Sequence, residues 1–598
     1  MSQLIDRRNL EFVLYEVLRA DELCQHPEYS VHDRATFDAV IDAAEQLAGE
    51  YFLNHAAKSD EREPAFEGGS VAIIPEIGEA LDAFYAAGFG SMSFKESIGG
   101  MGLPWIVAQA CLAIFMSANV STAAYALLTG AAANLLEAFG SDEQKAWFLE
   151  AMLTGRCFGT MCLSEPQAGS SLADIRTRAV ATAEGHYLID GTKMWISGGE
   201  HELSENIVHL VLAKVPDGPP GVKGISLFLV PKHLPAGGAQ AGELNDVTLV
   251  GINHKMGYRG TVNTVLNFGE NGRCVGYLIG KPNMGLLYMF HMMNEARIGV
   301  GLGATALGYA GYLASLEYAR DRTQGRLPDN NDPSSSPVKI IEHADVKRLL
   351  LAQKAYVEGA LALGLYCARL IDRKRTDQSG DTSRLDLLLD VLTPIAKSWP
   401  SEFCLEANKH AIQVLGGYGY SREYPVERLY RDNRLNIIHE GTHGIQAIDL
   451  LGRKVSQADG MGLTYLLEEI SQTMSKACAH DSLASMVDAL SSRCKVLKAT
   501  TDTLVEKLAA GERALALANA TLYLDALGHI VVAWMWLEQA LVAADRIRRC
   551  GVHDQPFYEG KLSACRYFYR YELPRVDSVL GLLGELDDTC LTMPANAF

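Results

Sequence analysis

The chain has 598 residues, of which 48% are hydrophobic and 21% charged, so it can build several large cores and is not disordered by composition. Its 53 basic and 72 acidic residues leave a net charge of −19, which argues against a nucleic-acid binder, whose basic stripe would meet phosphates, and against electrostatic docking on an anionic membrane. Twelve cysteines without CxxC pairs, and no apolar leader behind Arg7 and Arg8, argue against a disulfide framework and point to a cytoplasmic protein.

Residues 1–157 read as helical, with apolar residues at three- and four-residue spacings, as in Phe37, Val40, Ile41 and Ala44. A polar loop is expected over 58–70. The stretch 98–136 has no charged residue and is long enough for a membrane span, but its polar residues and short dense apolar run predict two helices buried in a core. Ser141-Asp142-Glu143-Gln144 predicts a capped helix start.

Over 158–280 the texture changes to short apolar or alternating runs split by Gly, Pro and Asp. Asp190-Gly191 predicts a hairpin, and further turns are expected over 216–224 and 234–242. This block reads as a small antiparallel barrel or sandwich. Helical texture returns over 281–455, with polar insertions at 325–337 and 372–383. A linker is expected at 456–462, and 456–598 is an additional helical block. The expected fold class is α+β and multidomain: an N-terminal helical domain (1–157), a middle antiparallel β-barrel domain (158–280), a C-terminal helical bundle (281–455) and an extra helical domain (456–598).

Two short motifs have competing readings. Gly301-Leu302-Gly303-Ala304-Thr305-Ala306 fits GxGxxA, but a dinucleotide fingerprint needs a strand before it, and the preceding residues read as helix; close helix packing is expected instead. His439-Glu440-Gly441-Thr442-His443 fits HExxH, with Glu468 or Glu469 as a conceivable third zinc ligand. That reading needs a regular helix, and Gly441-Thr442 is a poor centre for one. No metal is expected.

The neighbours of the second motif give it another meaning. Tyr424-Pro425-Val426-Glu427-Arg428-Leu429-Tyr430-Arg431-Asp432, leading to Ile437-Ile438-His439-Glu440-Gly441-Thr442, closely resembles the signature near the end of the catalytic helical domain of acyl-CoA dehydrogenases. Four more segments are similar to that family in the same order: 162–171 (CLSEPQAGSS), 191–199 (GTKMWISGG), 320–325 (RDRTQG) and 413–419 (QVLGGYG). The resemblance spans about residues 40–455 and has the same helix, β, helix order. The insertion at 328–337 and the block beyond 455 resemble a longer bacterial branch that includes 3-methylthiopropionyl-CoA dehydrogenases and longer-chain enzymes, whose members are dimers.

The resemblance implies an FAD enzyme that oxidises an acyl-CoA thioester to the trans-2-enoyl-CoA, with an electron-transfer flavoprotein as acceptor and a homodimer as the assembly. The reaction needs a base on one face of the Cα–Cβ bond and the flavin on the other. By motif that base is Glu440, whose backbone N–H would also hold the thioester oxygen; some members carry the base on an earlier helix, where this chain has Ala296, with Glu295 one residue back. Cofactor contacts implied are Cys162, Leu163, Ser164, Trp195, Ile196, Ser197, Arg322, Gln324, Gln413, Gly416, Gly417, Thr442 and Gly444. Substrate contacts implied are Ser170, Arg297 and Gly441. The chain departs from the family pattern at Ser171, where Asp is typical, at His443-Gly444, and at His439, where many members carry an aromatic residue. The alternatives are an acyl-CoA oxidase, a zinc hydrolase, and a scaffold that kept the fold without activity.

Overall fold

The computed structural model describes residues 4–235, 241–330, 332–549 and 551–598. The chain forms two compact units, Ala35–Ala296 and a second that combines Met1–Arg34 with Arg297–Phe598.

In the first unit, α1 (Arg34–Leu47) buries Phe37, Ile41 and Ala44, one face at helical spacing. The expected loop at 58–70 instead holds the end of a helical turn and a hairpin, Ala65–Glu67 with Ser70–Ala72, turned by Gly68 and Gly69 at positive φ. Helix α2 (Pro75–Ala86) starts on a proline, whose missing N–H is no loss in a first turn. The charge-free stretch forms α3 (Trp105–Phe139), two helices joined across a kink at Asn119 (φ −158°, ψ 94°). It is long and apolar enough to cross a membrane, but 78% of its apolar window is buried inside the protein, as in a core helix. Helix α4 (Asp142–Leu153) carries the expected capping box: Ser141 accepts from the Gln144 N–H, and Gln144 accepts from the Ser141 N–H.

The β domain has eight strands in one sheet: β1 (Cys157–Cys162), β2 (Arg178–Ala181), β3 (Tyr187–Ser197), β4 (Asn206–Lys214), β5 (Ile225–Pro231), β6 (Val247–Ile252), β7 (Asn263–Phe268) and β8 (Val275–Leu278). Strands β3, β8, β5, β4 and β2 pair in that order, and β2 returns to β3, which closes the barrel. It is antiparallel as expected, except that β1 and β2 run parallel to β4. Cys162, Ile189, Ile196, Val211, Phe228 and Leu266 fill its core.

The hairpin expected at Asp190-Gly191 does not form. Both residues lie inside β3, where Asp190 pairs with Arg178 and Gly191 with Phe268. A Cβ on Gly191 would lie 2.5 Å from Thr177 Oγ1, so this glycine serves close backbone approach within a strand rather than a turn. The turn expected over 234–242 falls mostly outside the described residues; His233–Pro235 and Ala241–Leu244 pair beside it.

The second unit is helical. Helix α5 (Gly285–Asp321) contributes its residues from Arg297 onward, and α6 (Ala344–Arg375) packs along α7 (Ser383–Leu415). Helix α5 meets α7 at Gly301, where a Cβ would lie 1.8 Å from the Ala396 carbonyl oxygen. Pro400, inside α7, has no N–H to occupy that carbonyl. Gly301 therefore serves helix packing, as expected for GxGxxA. Gly301→Ala should destabilise this unit by about 1–3 kcal/mol, because a backbone atom must move; a denaturation midpoint equal to wild type would show that α5 and α7 do not meet this closely.

After α8 (Val426–Asn433) and α9 (His443–Asp449) come α10 (Met461–Ala477), α11 (Ala484–Ala509), α12 (Ala520–Arg546), α13 (Gln555–Tyr567) and α14 (Arg575–Gly584). The segment at 456–462 is a tight corner rather than a spacer: Ala458 and Asp459 have positive φ, and a Cβ on Gly462 would lie 2.9 Å from the Leu387 carbonyl oxygen. Helix α12 also passes a membrane-length test, but 83% of its apolar window is buried. The first residues belong with this block. The buried Lys561 ammonium of α13 donates to Asn9, to Glu358 (2.8 Å) and to Gln539 (2.9 Å).

Candidate active site

Two of the family-like segments meet in the β domain. The Met194 N–H donates to the Ser164 carbonyl at 3.0 Å, so the end of β3 lies against the loop after β1. The register between β3 and β7 slips beside Trp195: Ile196 faces Thr264 and Met194 faces Val265. Trp195 is thus the extra residue of a bulge, at φ +65°, and its side chain is 58% exposed. Bulges re-aim side chains, and here an indole is turned out of the core. Leu163, Ser164 and Ser197 are partly exposed around it, and Ser197 Oγ accepts from Asn263 Nδ2 at 3.1 Å. Cys162 and Ile196 point into the barrel core, so only their backbone is available to a ligand. Ser170 is exposed on the same loop.

The sequence reading missed what holds this loop. Glu165, 4% exposed, accepts from the backbone N–H groups of Arg176 (2.6 Å) and Thr177 (3.0 Å), the Thr177 hydroxyl (2.6 Å) and the Lys193 ammonium (3.0 Å). Lys193 also donates to the Leu163 carbonyl at 2.9 Å. Both residues stood inside the two motifs, as an acid and a base amid apolar neighbours.

In the helical unit, the HExxH stretch is not a helix. Glu440 (φ +54°) and Gly441 (φ +90°) are successive left-handed residues, and α9 begins only at His443, capped by the Thr442 hydroxyl. The two histidines have different partners: His439 Nε2 lies 3.0 Å from Asn436 Oδ1, and His443 Nε2 lies 3.0 Å from Asp525 Oδ1. The continuous helix that zinc binding requires is absent here. Among the described residues, no three His, Cys, Asp or Glu side chains are grouped to hold a metal.

Three bonds fix the turn. Gln446 Nε2 donates to the Glu440 carbonyl at 3.0 Å, Lys397 Nζ donates to the Gly441 carbonyl at 2.8 Å, and the Ile445 N–H donates to Thr442 Oγ1 at 3.4 Å. Gly441 sits at φ +90°, where an L side chain is strained, and an added Cβ would also displace Gln446 Nε2, 2.5 Å away, from its bond to the Glu440 carbonyl. Below the turn runs a chain of buried amides. Asn436 donates to Asn433 (2.9 Å), Asn433 to Asn408 (2.7 Å) and to the Ala304 carbonyl (3.0 Å), and Asn408 to the Leu307 carbonyl (2.9 Å).

Glu440 is crowded by protein yet still touched by solvent. Burial raises its carboxyl above the usual range, while the charges of Arg297 and Lys397 act in the opposite direction. Arg297, 4% exposed, reaches Asp449 at 3.7 Å. His439 is pushed down to about 3 by burial and then by Lys397, so it is neutral at physiological pH and adds no charge. Glu295 accepts from Asn134 Nδ2 at 3.1 Å within the first unit.

The remaining predicted residues also lie in this unit: Gly416 and Gly417 at the end of α7, Arg322 beside Tyr418, and Thr442 and Gly444 just after Glu440. Gly416 caps α7 at φ +61° and donates its N–H to the Gln413 carbonyl. Added Cβ atoms at Gly416, Gly417 and Gly444 would meet nothing within 4 Å, so the backbone there is open to a ligand. The Arg322 guanidinium lies 5.6 Å from the Tyr418 ring centre, and Arg322, Gln324 and Gln413 are exposed.

Four family models match in chain order. The acyl-CoA dehydrogenase N-terminal domain covers 35–156, the middle domain 160–270 and the C-terminal domain 283–455; an acetyl-CoA dehydrogenase C-terminal-like domain covers 466–594. The 3-methylmercaptopropionyl-CoA dehydrogenase of Ruegeria pomeroyi is 35% identical over 555 residues, 93% of each chain. The chain belongs to the acyl-CoA dehydrogenase family. It is thereby an oxidoreductase of a family whose members are FAD-dependent flavoproteins. A broad-specificity linear acyl-CoA dehydrogenase of Mycobacterium tuberculosis is 32% identical over 99% of both chains. The fold is also that of a Caenorhabditis elegans protein solved in complex with C11-CoA, with a TM-score of 0.74 and 18% identity over 95% of this chain and 90% of that one.

The residues present fit an FAD. An outward-turned indole beside two serines offers a flat apolar face with polar neighbours, and the open glycine backbone near Arg322 offers close approach and a fixed cation for phosphate.

Proposed function

We propose that the chain dehydrogenates an acyl-CoA thioester between Cα and Cβ, giving the trans-2-enoyl-CoA, with Glu440 as the acceptor of the α-proton. The observation that carries this reading is the pinned left-handed turn at Glu440–Gly441, with a carboxylate raised by burial and faced by two cations. A strained backbone held from both sides fixes its side chain in advance, and a raised carboxylate is a better base near neutral pH. The Glu440 N–H would donate to the thioester oxygen, where charge develops as the proton leaves. A bound FAD would supply the acceptor for the hydride that leaves the β-carbon. Leu163, Ser164, Trp195 and Ser197 would hold it from the β domain. Arg322, Gln324, Gln413, Gly416, Gly417, Thr442 and Gly444 would hold it from the helical unit, partly across a homodimer. An electron-transfer flavoprotein would take the electrons, in the cytoplasm.

The relatives' names span 3-methylmercaptopropionyl, butyryl and broad linear acyl groups, so a short sulfur-containing chain competes with straight chains, among which the medium or long ones are the class expected from the sequence. One experiment addresses both levels. The flavin absorption of the purified protein is followed without oxygen as a panel of acyl-CoAs is added. Bleaching by one chain type is expected and names the acyl class; a flavin bleached by none of them refutes the reading. Peroxide released at the turnover rate on readmitting air would instead favour an oxidase.

Trp195→Ala should weaken FAD binding about three- to tenfold, the loss of one aromatic stacking contact. Equilibrium dialysis checks this; unchanged affinity would remove Trp195 from the cofactor contacts.

A further inference from the structure

Lys397 is a buried cation that the proposed reaction does not use. It sits in α7 on the stretch Thr393-Pro394-Ile395-Ala396-Lys397-Ser398-Trp399-Pro400, with a relative exposure of 0%. A lysine almost never occupies such a place unless it is paired. The one hydrogen bond its ammonium makes among the described residues goes to a neutral group, the Gly441 carbonyl at 2.8 Å. Asp390 and Asp449 are taken by others: Asp390 receives Lys454 and Gln457, and Asp449 receives Arg453 and Arg297.

The backbone places this ammonium deliberately. Gly301 admits α7 against α5 at Ala396–Lys397, and Arg297 lies one helical turn before Gly301, so the two cations come from facing helices near one crossing. The groups that act on Lys397 are Glu440 from the turn, Arg297 from α5 and the neutral His439. Those that act on Arg297 are Asp449 and Arg453 on one side and Asp390 on α7. Glu440 is the anion common to both cations. The lysine itself is pulled down to about 7, by burial first and by Arg297, with Glu440 opposing. A group so poised is sensitive to the charge on its neighbour.

We propose that Lys397 is a positioning residue for the base: its ammonium anchors the Glu440–Gly441 turn by the Gly441 carbonyl and, with Arg297, keeps the Glu440 carboxylate ionised in its desolvated surroundings. The proposal rests on Glu440 being the base. Without the lysine, burial acts on Glu440 against Arg297 alone, and the carboxylate holds its proton to higher pH.

The test separates charge from scaffolding. Proton removal is read as solvent-deuterium exchange at Cα of a 3-thiaacyl-CoA, whose sulfur replaces the β-carbon, so that a proton can leave but no hydride can. In the wild type the exchange rate should rise with pH through the titration of Glu440. Lys397→Met removes charge and donor; Lys397→Gln removes the charge and keeps an N–H for the Gly441 carbonyl; Lys397→Arg keeps both. Expected is an acid limb moved up by about one pH unit in both Met and Gln variants, and unmoved in the Arg variant. A limb unmoved in the Gln variant, with its rate restored, would reduce Lys397 to a structural tie and overturn the proposal. Flavin content and melting temperature report folding. If neither neutral variant loads flavin, 15N-labelled lysine in the wild type decides: one buried lysine signal, absent in Lys397→Arg, should shift on Glu440→Gln, and an unmoved signal overturns the coupling. A wild type that shows no exchange at all would refute the base reading instead.

Discussion

Glu440→Gln should lower the rate of acyl-CoA-dependent flavin bleaching by about 10⁴-fold while leaving flavin content and melting temperature near wild type. Positioned general bases contribute about 10²–10⁴-fold, and the upper end applies because the amide has no basic lone pair to replace the carboxylate. The substitution is close to isosteric, so the left-handed backbone and the two carbonyl bonds of the turn, from Gln446 and Lys397, should survive. Exchange at Cα of the 3-thia substrate must fall with bleaching, since both begin with the same proton. Glu295→Gln is the matched control: its carboxylate is bonded by Asn134, and the variant should exchange at the wild-type rate. Exchange that persists in Glu440→Gln and vanishes in Glu295→Gln would move the base to α5. The pH profile carries the same sign. Proton removal needs the ionised carboxylate, so the wild-type rate rises as pH rises through a value that burial lifts and that Arg297 and Lys397 hold down.

Much of this architecture is legible in the sequence. Regular burial wrote itself into the sequence: the Phe37, Ile41, Ala44 face, the Ser141 capping box and the charge-free core helix appear where periodicity placed them. The motifs also singled out Glu440, and Gly441-Thr442 argued against a regular helix there. What stayed hidden depends on approach between distant segments. Asp190-Gly191 has turn chemistry, but Thr177 crowds the glycine and makes it a strand position. The resemblance marks Trp195 as a flavin contact, but its exposure comes from a one-residue register slip against β7 that no local pattern encodes. Lys397 was invisible because a single lysine in an apolar helix looks like a solvated one, and only the crossing at Gly301 shows it buried. The N-terminal residues were read with the helices that follow them in sequence, whereas Asn9 is bonded by Lys561, 552 positions away.

Lys193→Met should destabilise the β domain by about 3–5 kcal/mol at neutral pH, the range for removing one partner of a buried ion pair. Burial pushes the Glu165 carboxyl up, but Lys193, the Thr177 hydroxyl and two backbone N–H groups hold it down to about 2. Burial also pulls Lys193 below its ordinary range, which offsets part of what the pair contributes. The truncation effect is nevertheless large, because it leaves a carboxylate that is 4% exposed without its cation. A depressed carboxylate contributes stability that is complete above its unfolded value of about 4.3 and is lost as pH falls toward its folded value. In Lys193→Met the folded value rises, so the deficit against wild type should be widest at pH 7 and narrow below about pH 4, where a protonated Glu165 no longer needs a cation. At pH 7 the melting temperature should drop by about 6–10 °C, and the loop 163–171 should bind FAD less tightly. The double variant Glu165→Gln/Lys193→Met buries no unpaired charge and should be more stable than Lys193→Met alone. If the double variant melts below the single one, the loss comes from packing around the lysine stem, and the ion pair is not what holds the loop under Trp195.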